Sequence, residues 1–123
     1  MEFRIALVLT VGLLTGVASA QESLKRISTA EAQAHYQETC VVTGKVSQVS
    51  VREKLVYLNL DRAFPDTPLA GIIFARNTNQ FGDLKQLEGK SVEITGKIDE
   101  FKDRLQIVLT STNQLKVVET KPN

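Results

Sequence analysis

Apolar residues recur at every second position along most of this chain, and the phase of that alternation predicts its elements. Cys40, Val42, Gly44 and Val46 share one parity; Val41, Thr43 and Lys45 share the other. Past Val46 the apolar positions move to Val49 and Val51. A one-residue slip inside a long period-two run predicts one strand with a bulge or sharp bend. "KLVYLNLD" alternates again, with Val56, Leu58 and Leu60 against Tyr57, Asn59 and Asp61, after a hairpin-type turn at "SVREK". "RAFPDTP" reads as a loop, because Pro65 and Pro68 disrupt strand pairing. "LAGIIFA" is apolar on both parities and predicts a third strand covered on both faces. "KSVEITGKID" is the cleanest alternation and gives the fourth strand. "LQIVLTS" gives the fifth, with Leu105, Ile107 and Leu109 inward, and "LKVVE" is a short last strand. Two segments break the period. Ser28 followed by Glu31 forms a capping box before an alanine-rich run, predicting a short helix over 29–36. "GDLKQL" predicts another over 82–87, closed by Gly89. The fold class predicted is all-β: a five-stranded barrel with a short N-terminal helix and a short helix between strands three and four.

Two stretches nearly rhyme, "VTGKV" at 42–46 and "ITGKI" at 94–98. The likeness does not extend to their flanks, so it is not a repeat unit. Each lies within a predicted strand, whereas a phosphate loop needs a glycine-rich turn opening a helix. Gly44 and Gly96 fall on the inner parity, where a small barrel needs strands to bend and pack closely.

The N-terminal stretch follows a different logic. Arg4 precedes an apolar run from Ile5 to about Val17, and Ala18-Ser19-Ala20 follows. This is the order of a secretory signal peptide with an A-x-A site. The run is shorter than the ~20 residues of a spanning helix. The expectation is cleavage after Ala20, a single domain over 21–123, a periplasmic or secreted location, and no stable membrane anchor after cleavage. Net charge is +1, which withholds the strong basic excess of a dedicated non-specific nucleic-acid binder. Cys40 is the one cysteine, so no internal disulfide forms, and its strand parity predicts a small buried hydrophobe.

Strand order and wording together resemble the small secreted bacterial OB-fold proteins of the tRNA-anti-like, nucleic-acid-binding type. The resemblance rests on "EAQAHYQETCVVTGKVSQV", "VYLNLDRAFPDTPLAGIIFA" and "LEGKSVEITGKIDEFKDRLQIVLTSTNQLKVV". That family usually has Gly and Pro in the turn between its fourth and fifth strands; this chain has Asp103 and Leu105 there. The resemblance implies a ligand face on strands two and three, flanked by the loops between strands one and two and between strands four and five. Aromatics for stacking and cations for phosphates are the parts such a face needs. The candidates are Tyr57 and Asn59 on the second strand, Arg52 and Lys54 in the first loop, and Phe101, Lys102 and Arg104 in the second. Arg62, Phe64 and Arg76 lie nearby. Acidic residues alternate with these cations, as on an ordinary solvated surface, and Phe64 and Phe101 could equally pack on the barrel.

Metal ligation has two soft candidates, His35 and Cys40, and a closed zinc site needs four ligands. His35 is better placed to cap its helix end. Asp99, Glu100 and Asp103 read as a solvated turn rather than a hard-cation site. With one histidine and no supported triad, no catalytic residue, metal or cofactor is assigned and no enzyme activity is expected. The leading expectation is an exported protein that binds single-stranded DNA or RNA weakly. The alternative is a periplasmic module that holds a protein partner, a small solute or an oligosaccharide on the same face, in a role such as envelope stress.

Overall fold

The structure, a computed structural model, describes residues 24–118. In chain order the described strands are β1 (Arg26–Ser28), β2 (Thr39–Val51), β3 (Leu55–Leu60), β4 (Leu69–Phe74), β5 (Ser91–Lys97), β6 (Asp99–Phe101), β7 (Arg104–Val108) and β8 (Leu115–Val118). Four short 3-10 helices join them: η1 (Thr29–His35), η2 (Ala75–Phe81), η3 (Leu84–Leu87) and η4 (Thr112–Gln114). The expected signal segment lies outside the described residues.

The slip past Val46 is a bulge. β2 pairs antiparallel with β3, and its register shifts between Val46 and Gln48. The inward face changes there from the parity of Val42 and Val46 to that of Val49, all three buried. Val51 does not follow Val49 inward; it is exposed, at the strand end beside the turn. The rhyming stretches prove to be partners. β2 pairs antiparallel with β5, setting Val42 opposite Ile94, Gly44 opposite Val92 and Cys40 opposite Gly96. A Cβ on Gly96 would come within 2.5 Å of the Ile107 methyl, and one on Gly44 within 3.2–3.3 Å of Thr29, Asp61 and Leu60. Neighbouring side chains therefore close over these glycines, as their parity predicts.

β4 is buried on both faces, with Ile72 and Ile73 both almost fully inaccessible. It lies between β3 and β7, antiparallel to the first and parallel to the second. The hydrogen-bonded order is β6-β7-β4-β3-β2-β5-β8, an open path, with β1 added parallel to β2. The ladder thus differs from the simple five-stranded ring expected. The cause lies at Ile98, which divides the expected fourth strand into β5 and β6. Its N–H donates to Glu38 O and its carbonyl accepts from Gln37 N–H, so its backbone serves the turn before β2. One stretch of chain consequently enters the sheet twice, beside β2 through β5 and beside β7 through β6.

The core is one cluster, with Val46, Leu58, Leu60, Ile73, Ile94, Ile98, Ile107 and Leu109 at 0% exposure. Each such side chain contributes about 1.5–3 kcal/mol on burial, which lets the fold stand without a disulfide. Cys40 joins this core as its parity predicts. The capping box at Ser28 and Glu31 is present, but the helix it opens is 3-10 over 29–35, the form favoured in short connectors. The second expected helix is confined to η3, with Asp83 accepting from Lys85 N–H at its start and Gly89 at φ +88° after its end. β1 and η2 had no strong periodic signal. The last strand is described to Val118.

Candidate nucleic-acid interface

The bulge in β2 builds the floor of a groove. Once the parity has changed, Gln48 and Ser50 point the same way as Asn59 and Tyr57, which face them across the ladder. Asn59 is in turn opposite Ala70, and Ala70 opposite Gln106. Tyr57 is opposite Ile72. Two cross-strand rows over β2, β3, β4 and β7 thus line a groove of about 590 Å³. Its rims are the β2–β3 turn carrying Arg52, the 61–68 loop carrying Phe64, and the β6–β7 hairpin carrying Phe101, Lys102 and Arg104.

The rims are held by specific bonds. Gln48 Oε1 accepts from Asn59 Nδ2 at 2.8 Å and from the Phe64 N–H at 3.0 Å, tying the 61–68 loop to the floor. Arg104 donates to the Pro65 carbonyl at 2.9 Å, and its guanidinium lies 4.4 Å from the centre of the Phe64 ring. Lys102 Nζ lies 5.3 Å from the centre of the Phe101 ring. The two phenylalanines are among the most exposed large apolar residues described, Phe64 at 58% and Phe101 at 57%. Each therefore presents ring surface to solvent with a cation beside it, a cation–π arrangement. Arg52 bonds the Ser50 hydroxyl at 3.2 Å. Among the described residues, no carboxylate forms an ion pair with Arg52, Lys102 or Arg104.

The hairpin tip is a two-residue turn in which Lys102 and Asp103 both have positive φ, 51° and 66°. A type I′ connection needs this at both central residues and usually recruits Asn-Gly. This is how the chain turns without the Gly and Pro that the resembling family carries.

Seven of the ten residues named from the sequence meet in the groove: Arg52, Tyr57, Asn59, Phe64, Phe101, Lys102 and Arg104. Asn59 does so as floor, not as an exposed contact; it is 3% exposed and its amide is committed to Gln48. Lys54, Arg62 and Arg76 are not among its lining residues. Arg62 bonds the Asp66 carbonyl within its own loop, and Arg76 sits over the Phe74 ring at the start of η2. Phe64 stands exposed on the rim rather than packed on the barrel. The residues missed were Gln48, Ser50 and Gln106, and the first two had a signal: the parity slip that announces the bulge also turns them outward.

Away from the groove, His35 Nδ1 lies 2.8 Å from Glu38 Oε1, so the imidazole meets a carboxylate rather than capping carbonyls. Its ligand atoms, those of Glu38 and the thiol of Cys40 are within 4.8 Å of one another.

No family model and no curated protein matches the chain. Solved structures do. The Stn1-ten1 complex of S. pombe aligns with a TM-score of 0.53 at 14% identity, over 67% of this chain and 59% of that one. The aspartyl tRNA synthetase of Entamoeba histolytica aligns at 0.57 and 20% identity, over 80% of this chain and 22% of the synthetase. The asparaginyl-tRNA synthetase of the same organism aligns at 0.55 and 19%, over 81% of this chain and 24% of the synthetase. This chain therefore spans about a quarter or less of the synthetases it resembles. The likeness is one of fold: these neighbours are OB-fold proteins, and the β-rich architecture described here is OB-like.

Proposed function

We propose that this chain is an exported, non-catalytic OB-fold binding protein that takes single-stranded nucleic acid in the groove over β2, β3, β4 and β7. The observation that carries the reading is the pair of exposed phenylalanine rings on neighbouring rims, each accompanied by a cation free of carboxylate partners among the described residues. Unstacked bases find π-faces there and phosphates find Arg52, Lys102 and Arg104. The fold likeness to the Stn1-ten1 complex and to two tRNA synthetases supports the class. The bend at Ile98 is read as the closure of an OB-type barrel, with β5 and β6 as two arms of its fourth strand. Export rests on the apolar run and Ala18-Ser19-Ala20, and the intact mass of the exported protein is expected to begin at Gln21. A bacterial source and a periplasmic or secreted location go with that reading.

A second reading is a protein partner, a small solute or an oligosaccharide in the same groove. The net charge of +1 and the apolar floor at Ala70, Ile72 and Leu105 favour it. The deciding experiment is a salt-titrated binding assay with labelled single strands, repeated with Phe101→Ala. Loss of one base-stacking platform is expected to weaken binding by about 1–3 kcal/mol while circular dichroism stays unchanged. Absent binding, or tight binding indifferent to salt and to Phe101→Ala, supports the second reading.

A further inference from the structure

The turn between η1 and β2 holds a second, separate constellation. His35, Glu38 and Cys40 bring an imidazole nitrogen, a carboxylate oxygen and a thiol sulfur within 4.8 Å of one another. They follow the spacing H-x-x-E-x-C, with Gln37 between the first two at φ 71°. That left-handed residue turns the chain back, so that the Glu38 N–H bonds the His35 carbonyl at 2.9 Å. Left-handed geometry is disfavoured for a residue with a side chain, so the surrounding bonds must hold it. They do: Gln37 N–H donates to Ile98 O at 2.7 Å and Ile98 N–H to Glu38 O at 3.0 Å. The three ligand-bearing residues are therefore mounted on backbone fixed from both sides to the buried Ile98. Access is graded. Cys40 is buried at the base, His35 is half-buried, and Glu38 is exposed at the mouth.

We propose that His35, Glu38 and Cys40 form a binding site for one borderline-soft divalent cation of the zinc class, with a fourth position left to water or an exogenous ligand. Nitrogen, carboxylate oxygen and thiolate together are the donors such an ion takes, whereas magnesium and calcium prefer oxygen alone. With metal–ligand bonds of about 2.0–2.3 Å, tetrahedral ligand atoms stand roughly 3.3–3.8 Å apart, so the 2.8 Å contact between His35 and Glu38 widens on binding while the sulfur, within 4.8 Å of both, is already near its place. An ion pair beside a buried apolar thiol would need only the 2.8 Å contact between His35 and Glu38; the convergence of the sulfur on that pair is what the metal explains. Binding replaces the Cys40 S–H bond by a metal–sulfur bond and releases that proton to solvent, with no change of oxidation state.

Titration of the untagged, metal-free protein with Co²⁺ tests this. One equivalent is expected to give visible bands of a four-coordinate site and a near-ultraviolet thiolate-to-cobalt band, both removed by Zn²⁺. Cys40→Ser is expected to abolish the thiolate band. Should that core variant fail to fold by circular dichroism, Glu38→Gln, on an exposed side chain, serves in its place. It is expected to weaken Co²⁺ affinity at least tenfold. No saturable bands, bands without the thiolate component, or bands unaltered by Glu38→Gln overturn the proposal.

Discussion

Asp61 reads in the sequence as one more surface acid, and in the structure it is a latch. It follows β3 in left-handed geometry, φ 68°. One carboxylate oxygen accepts from the Lys45 N–H at 3.0 Å, and the other accepts from the hydroxyl of the buried Thr29. One side chain thus fastens η1, β2 and the end of β3. Asp61→Ala leaves the Thr29 hydroxyl and the Lys45 N–H without this partner and is expected to cost about 1–3 kcal/mol in urea denaturation. Glu88 does a related task for Val49, just beyond the bulge. Its carboxylate accepts the Val49 N–H at 2.9 Å while Lys85 donates to the Val49 carbonyl at 3.1 Å. The Val49 N–H, then the Lys85 ammonium, holds the Glu88 carboxyl below its usual 4.5. A carboxylate with a depressed folded pKa stabilises above its unfolded pKa, and that contribution is lost as pH falls through the folded value. Melting curves taken between neutral and acid pH are therefore expected to show a shallower acid loss for Glu88→Gln than for the parent protein.

Among elements, β2 carries the most information, and most of it was legible. Its alternation gave the strand, its slip gave the bulge, and the inner parity of Gly44 and Gly96 marked where the sheet packs closely. Gly96→Val places a branched side chain where even a Cβ meets the Ile107 methyl at 2.5 Å. Overpacking of this kind costs about 1–3 kcal/mol, and the loss should appear as a lower urea midpoint with unchanged slope. What the alternation could not show is pairing. That β5 would lie against β2 with the two rhyming stretches opposed, or that Ile98 would divide one strand into two, depends on backbone bonds made by Gln37 and Glu38, far away in sequence. The three-residue β1 and the 3-10 turn η2 were missed for a related reason, since such short elements are fixed by contacts rather than by their own periodicity. The β6–β7 hairpin was foreseen as a turn, but its conformation was not. Lys102-Asp103 has no glycine, yet both residues take positive φ. Asp103→Gly relieves one of these positions and is expected to raise stability by up to about 1 kcal/mol, measured by thermal melting.

At the scale of the whole molecule, charge is nearly balanced but unevenly placed. The sequence holds 15 Lys and Arg against 14 Asp and Glu, which argues against long-range attraction to a polyanion. The groove nonetheless gathers Arg52, Lys102 and Arg104 on its rims, and no acidic residue lines it. Sequence reasoning found these three cations because they flank predicted turns; it also included Lys54, Arg62 and Arg76, whose side chains the fold places outside the groove lining. Three cations set the electrostatic scale of the proposed function. Each phosphate neutralised on a single strand contributes about −0.7 to the slope of log affinity against log salt, so the parent slope should lie near −2. Affinity is then expected to be modest, in the micromolar range or poorer, with the aromatic rims supplying what charge does not. Lys102→Ala removes one phosphate partner and leaves the Phe101 ring in place. It should weaken binding to strands of every sequence alike and flatten the salt slope by one unit at most. A slope that stays unchanged in Lys102→Ala, measured with the same labelled strands across a range of salt, would show that phosphates do not run along the β6–β7 rim and would remove the hairpin from the interface.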